Sequence, residues 1–200
     1  MSDSFITKKA IASALKELCR TKPFEKISIA DITSICHLNR QTFYYHFQDK
    51  YELLSWIYYY EEFAGIAEGI SFSNWSERIG QLLITMRQEK SFFMNTIGEP
   101  EHTFQNYLLG ITRTLFQEAI DHLDRVGILS DDQKKFDAEF YAYGITGVIL
   151  SWTENGMKTP PEELAAQLKR LARHSEKAAY IFHEEIKDSL VPEHMTFQKS

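Results

Sequence analysis

The stretch from Ser28 to Lys50, SIADITSICHLNRQTFYYHFQDK, constrains the fold of this chain more than any other. Its punctuation permits two short helices joined by a tight turn, and nothing longer. Ser28 can cap the first helix, with Asp31 three residues on completing a Ser-x-x-acid box. Ile29, Ile32 and Ile35 give that helix an apolar stripe, and Cys36-His37-Leu38 is too irregular to continue it. Asn39 then caps a second helix, and Gln48-Asp49 interrupts it before a third begins at Lys50. This is the layout of a helix-turn-helix, whose second helix enters the DNA major groove.

Successive residues of a helix turn by roughly 100°, which sorts the second helix into faces. Phe43 and Phe47 share one side and define its buried face. Gln41, Thr42 and Tyr45 lie furthest from them and point outward, with Tyr44 and His46 on the two flanks. Arg40 falls in the first turn, where helix-turn-helix proteins place base-contacting residues. Arg reads guanine with two hydrogen bonds and Gln reads adenine, while Thr42 can touch a thymine methyl. Arg40 and Gln41 are therefore the expected direct readers.

The run RQTFYYHFQDKYELL, residues 40–54, resembles the signature of TetR-type transcriptional regulators. The preceding ITKKAIASALKEL (6–18) and KISIADI (26–32) resemble that family's first two helices. One departure is that His37 stands where the family usually has Gly, so His37 must adopt the left-handed conformation itself or reshape the turn. The resemblance implies that Tyr44, His46 and Lys50 clamp phosphates and that Ser28 offers a capped helix N-terminus to another. The expected DNA-binding set is thus Ser28, Arg40, Gln41, Thr42, Tyr44, Tyr45, His46 and Lys50. It also implies a ligand-responsive regulator, a repressor, that binds a palindromic operator as a homodimer.

A net charge of −6 looks wrong for such a protein until it is divided. Residues 1–51 hold eight basic against five acidic side chains, a balance of +3, and the remainder holds 14 against 23, a balance of −9. A basic head on an acidic body orients the head toward phosphate. Apolar and charged fractions of 44% and 25% are those of a globular protein, and 200 residues allow a sizeable core. No apolar run is long enough to span a membrane, and MSDSFITKK lacks a signal peptide's apolar centre. Cys19 and Cys36 make no disulfide framework, which suits a cytoplasmic protein, and read as small buried hydrophobes.

Every segment reads as helix, so the predicted fold is all-α. The first helix is expected from about Thr7 to Lys22, and a long one from Asp49 to about Gly69 with Leu53, Leu54, Ile57 and Tyr60 facing inward. Four more follow: 74–97, broken near Lys90; Pro100 to about Arg125; Ser130 to Asn155, opened by a capping box; and one from Pro160. The division is a helix-turn-helix head at 1–50, a connecting helix at 51–69, a helical body at 70–190 and a frayed tail at 191–200.

The family analogy assigns dimerisation and effector binding to the body. Gly144 and Gly147 lie one turn apart and permit close helix approach; with Leu150, Leu164, Leu168 and Leu171 they form the expected dimer surface. Phe93, Phe104, Tyr107, Phe116 and Tyr141 are the expected ligand-binding residues, although aromatic-rich segments are ordinarily core. Residues 147–168 also resemble a subgroup that includes regulators of dihydroxyacetone kinase operons. The sequence contains no nucleophile elbow, phosphate loop or metal-protease motif, so neither an enzyme nor a cofactor or metal is expected. The alternative reading is a helical protein-binding module or co-regulator of the same fold whose effector is another protein.

Overall fold

The computed structural model describes residues 3–71, 73–124 and 127–174, and no strand occurs among them. The head comprises α1 (Asp3–Leu18), a 3-10 turn (Phe24–Lys26), α2 (Ile29–Ile35) and α3 (Arg40–His46). From it α4 (Lys50–Ile57) runs directly into a π-helical segment, Tyr58–Phe63, and a last turn, α5 (Ala64–Ala67). The body comprises α6 (Trp75–Gln88), α7 (Lys90–Thr96), α8 (Thr103–Leu123), α9 (Asp131–Glu154) and α10 (residues 161–174). The tail at 191–200 expected to be frayed lies outside the described residues.

Local chemistry sets these boundaries. Ser28 and Asp31 exchange hydrogen bonds as a full capping box, and so do Ser130 and Gln133. Asn39 accepts from the Thr42 N–H, and Asp49 accepts from Tyr51 and Glu52. The turn between α2 and α3 is left-handed at His37 (φ +53°), and the Leu38 N–H reaches back to the Thr33 carbonyl at 3.0 Å. His37 thus supplies the conformation that glycine usually gives after a helix. Two boundaries differ from expectation: α1 begins at Asp3 and ends at Leu18, with Cys19–Lys22 closing as turns, and α6 and α7 part at Glu89.

One apolar cluster runs through head and body, from Ile11 and Leu15 by way of Phe43, Phe47 and Leu53 to Phe93, Phe104 and Ile149. The connecting helix joins the two parts of it. Tyr60, expected to face inward, is 53% exposed, and Tyr58 is buried in its place. The reason is helical phase. Tyr58 lies four residues after Leu54 and so on the same face, and from there the backbone widens, the Ala64 N–H bonding to Tyr59 five residues back. Tyr58 packs against Phe92, Phe93 and Phe104, and its hydroxyl donates to Thr96 Oγ1 at 2.7 Å.

The π segment also buries Glu62, only 5% exposed. Lys16 of α1 reaches Glu61, Glu62 and Glu89 at 2.9, 3.0 and 2.7 Å, so one ammonium serves three carboxylates. Burial opposes the charge on Lys16, but Glu62, then Glu89 and Glu61, outweigh it and hold its pKa above the usual value. Glu62 fares differently: burial pushes its carboxyl pKa up more than its share of Lys16 pulls it down. Below the ordinary carboxylate pKa this group is protonated in folded and unfolded chains alike. As pH rises above that value the unfolded chain releases the proton first, so stability falls. The urea midpoint of the wild type should therefore drop more between pH 5 and pH 7.5 than that of Glu62→Gln; equal drops would mean that Glu62 ionises freely in the fold.

Candidate nucleic-acid interface

The helix α3 hangs from its two phenylalanines. Phe43 and Phe47 are buried against the head core, their rings 5.8 Å apart, which fixes the outward direction of the remaining side chains. Arg40, Gln41, Tyr44 and Tyr45 are exposed, Tyr45 at 82%, and Thr42 and His46 are half-buried on the flanks. Arg40 and Gln41 make no ion pair or hydrogen bond within the described residues, so their donors are available to an external acceptor. The Thr42 hydroxyl instead donates to Asn39 Oδ1 at 3.0 Å, leaving its methyl as the free feature.

Two expected phosphate contacts have other partners. The Ser28 N–H and hydroxyl both donate to Asp31 Oδ2, at 2.8 and 2.7 Å, and Lys22 adds a third contact at 2.6 Å. Lys22 and then Ser28 hold the Asp31 carboxyl well below the usual carboxylate range. Lys50 turns its ammonium inward, donating to the carbonyls of Phe24, Glu25 and Ile27 at 2.8, 3.0 and 3.1 Å and lying 4.6 Å from the Phe24 ring centre. All three ammonium hydrogens are thereby used. Nothing local in the sequence marks this, because the partners lie 23–26 residues away.

One further cation borders the face. Lys8 of α1 stands 5.1 Å above the Phe47 ring. Burial lowers the His46 pKa, and the charge of Lys8 lowers it further, so His46 meets the outside as a neutral imidazole. Its sequence position in α1 gave no sign of this neighbourhood.

The body holds the other expected residues in two environments. Phe93 and Phe104 are fully buried and pack on each other at 5.8 Å, Phe116 stacks on Tyr141 at 5.0 Å, and Tyr107 lies against Phe63 and Tyr59. These rings fill the core rather than line the described clefts. The cleft beside the π segment, about 590 Å³, is bounded instead by Glu61, Glu77, Arg78, Gln81 and Thr85 among others. Of the expected dimer residues, Leu164 and Leu168 are buried within the subunit, Leu150 is half-buried, and Gly144, Gly147 and Leu171 are exposed. The two glycines share an outer face of α9 with Phe136, Phe140, Tyr143 and Val148, all exposed. A groove of about 630 Å³ runs along the end of that face.

Among the described residues no group of His, Cys, Asp and Glu could hold a metal ion, and no helix is long and apolar enough to cross a membrane. Residues 11–56 match the family profile described as bacterial regulatory proteins, tetR family, and residues 73–174 match one described as transcriptional regulator C-terminal region. The chain is 29% identical over 150 residues, 74% of its length and 80% of the relative's, to the dhaKLM operon transcriptional activator DhaS of Lactococcus lactis subsp. lactis (strain IL1403). A solved structure of a dihydroxyacetone kinase operon activator DhaS superimposes with a TM-score of 0.69 at 27% identity, covering 87% of this chain and 98% of that one. The Thermus thermophilus FadR repressor, solved with lauroyl-CoA, shares the fold at a TM-score of 0.55 and 18% identity, covering 82% and 92%.

Lys50→Met should strand its three carbonyls and lower stability by about 1–3 kcal/mol in urea denaturation. Unchanged stability with a shallower salt dependence of DNA binding would return Lys50 to the phosphate role.

Proposed function

Because this chain belongs to the TetR family of bacterial transcriptional regulators and is not an enzyme, we propose that it is a cytoplasmic homodimer that binds a two-fold operator and answers to an effector. The observation that carries the DNA-reading part is α3 itself, with Arg40 and Gln41 unpaired and outward on a helix anchored by Phe43 and Phe47. Tyr44, Tyr45 and neutral His46 flank them as phosphate partners. Dimerisation is supported by the exposed stripe Phe136, Phe140, Tyr143 and Val148, with Gly144 and Gly147 between, which is costly to leave in water. Two copies of α9 and α10 would then form a four-helix interface and hold the recognition helices about one DNA turn apart, roughly 34 Å.

Activation is proposed as the sense of regulation, in place of the repression expected from the sequence. The reason is that the similar proteins of matching length are named activators, whereas the repressor shares only the fold. By the same likeness the target is an operon for a small-hydroxyketone kinase. The effector reading has two forms. A small ligand would enter the polar cleft beside the π segment. A protein effector is favoured by Tyr59 and Tyr60, which lie exposed on the connecting helix beside Tyr107.

The deciding experiment is a gel shift with the DNA upstream of the protein's own gene. Arg40→Ala should cost about 1–3 kcal/mol and relax preference at one position per half-site. Tyr44→Ala should weaken specific and random DNA alike and flatten the salt dependence by about one unit per lost contact. No shift at low salt from folded protein would refute DNA reading. Phe140→Asp should convert the dimer to monomer in sedimentation; a monomeric wild type would remove the interface. Deleting the gene should lower expression of its target, and a rise would restore repression.

A further inference from the structure

Asn95 belongs to α7 in the body, yet its whole amide serves the head. Its Nδ2 donates to the carbonyls of Cys19 at 3.1 Å and Lys22 at 2.8 Å, and its Oδ1 accepts from the Phe24 N–H at 2.8 Å. The two carbonyls follow the last turn of α1, where no further helix N–H meets them. Phe24 opens the 3-10 turn whose far side is held by Lys50. The turn is thus gripped twice, from the head by Lys50 and from the body by Asn95. Beside it, Glu89 at the α6–α7 elbow pairs with Lys16 of α1.

The same elbow is tied in the opposite direction. Lys90 donates to the Gly156 carbonyl at 2.8 Å and Arg87 to that of Met157. Gly156 and Met157, both at positive φ, form the turn from α9 to α10, at the end of the exposed apolar face. A continuous set of hydrogen bonds therefore links that turn to the elbow, and the elbow to the head. This route is separate from the connecting helix. The covalent link through α4 fixes one line between head and body; contacts through α7 fix the angle about it.

We propose that Asn95 is a positioning residue for DNA reading, the latch by which the α6–α7 elbow sets the angle of the head and passes changes at the α9–α10 turn to α3. The consequence for DNA rests on the function proposed above; the latch itself does not. An effector that displaces the elbow need break only three hydrogen bonds to free the head about its connecting helix.

The test is a distance within one chain. Spin labels go at positions 34 and 118, both exposed, on α2 and α8, in a background carrying Cys19→Ala and Cys36→Ser and diluted with unlabelled protein. The parent should give a narrow distribution, and Asn95→Ala a shifted and wider one. Thr96→Val, which removes the Tyr58 hydroxyl bond inside the body, should lower stability without widening it. Asn95→Ala should also lose about fivefold or more in affinity for the upstream DNA fragment. Should Asn95→Ala not fold, Asn95→Asp keeps the Phe24 contact and sets a carboxylate against two carbonyls, with the same widening expected. A distribution that coincides with the parent's in the folded variant overturns the latch, even if DNA affinity falls. Widening in a protein that shifts no DNA leaves the latch standing and removes the DNA-reading function instead.

Discussion

Head and body depend on the burial of one helix that belongs to both. Leu53, Leu54 and Ile57 of α4 complete the core under α2 and α3, and Tyr58 and Phe63, in the next turn and a half, are enclosed by Phe92, Phe93 and Phe104. Fully burying side chains of this size is worth about 1.5–3 kcal/mol each. No apolar gap separates the two parts, so the head is seated on the body rather than tethered to it. Polar contacts then refine the seating. Those of Lys50 and Asn95 meet backbone groups that the short head leaves unpaired, and a three-helix unit of this size has few other means to pair them.

The two charge systems divide the labour. At the tip, cations and hydroxyls face outward from a basic head. At the junction, Lys16 is surrounded by Glu61, Glu62 and Glu89, and its field is spent there. The acidic excess of the body therefore begins at the connecting helix, directly behind the reading face. A polyanion is attracted to one end of the molecule and repelled by the rest.

What could be read from the sequence was whatever has a local cause. The caps at Ser28, Asn39, Asp49 and Ser130 act within four residues, and the structure places each of them. Phe43 and Phe47 were legible as core because helical geometry alone puts them on one side, and His37 as left-handed because the turn leaves no other conformation. The partners of Lys50 and Asn95 were not legible, since they are 23 to 76 residues distant and a lysine in a family signature reads as a phosphate ligand. Tyr60 was misplaced because no residue type announces a π turn. The aromatics of the body were legible as a group, but whether rings fill one another or enclose a ligand depends on packing that spacing does not encode.

The π turn at Tyr58–Phe63 acts as a phase shifter. Relative to an unbroken α-helix it accommodates one surplus residue, and one residue is about 100° of rotation around the axis. Everything after Phe63 therefore meets the body at an azimuth different from the one α4 alone would dictate. Removing a single residue there would leave the head and the body each intact and set them at the wrong bearing. Protein length at this one point works as an angular coordinate, which no substitution elsewhere in the helix can reset.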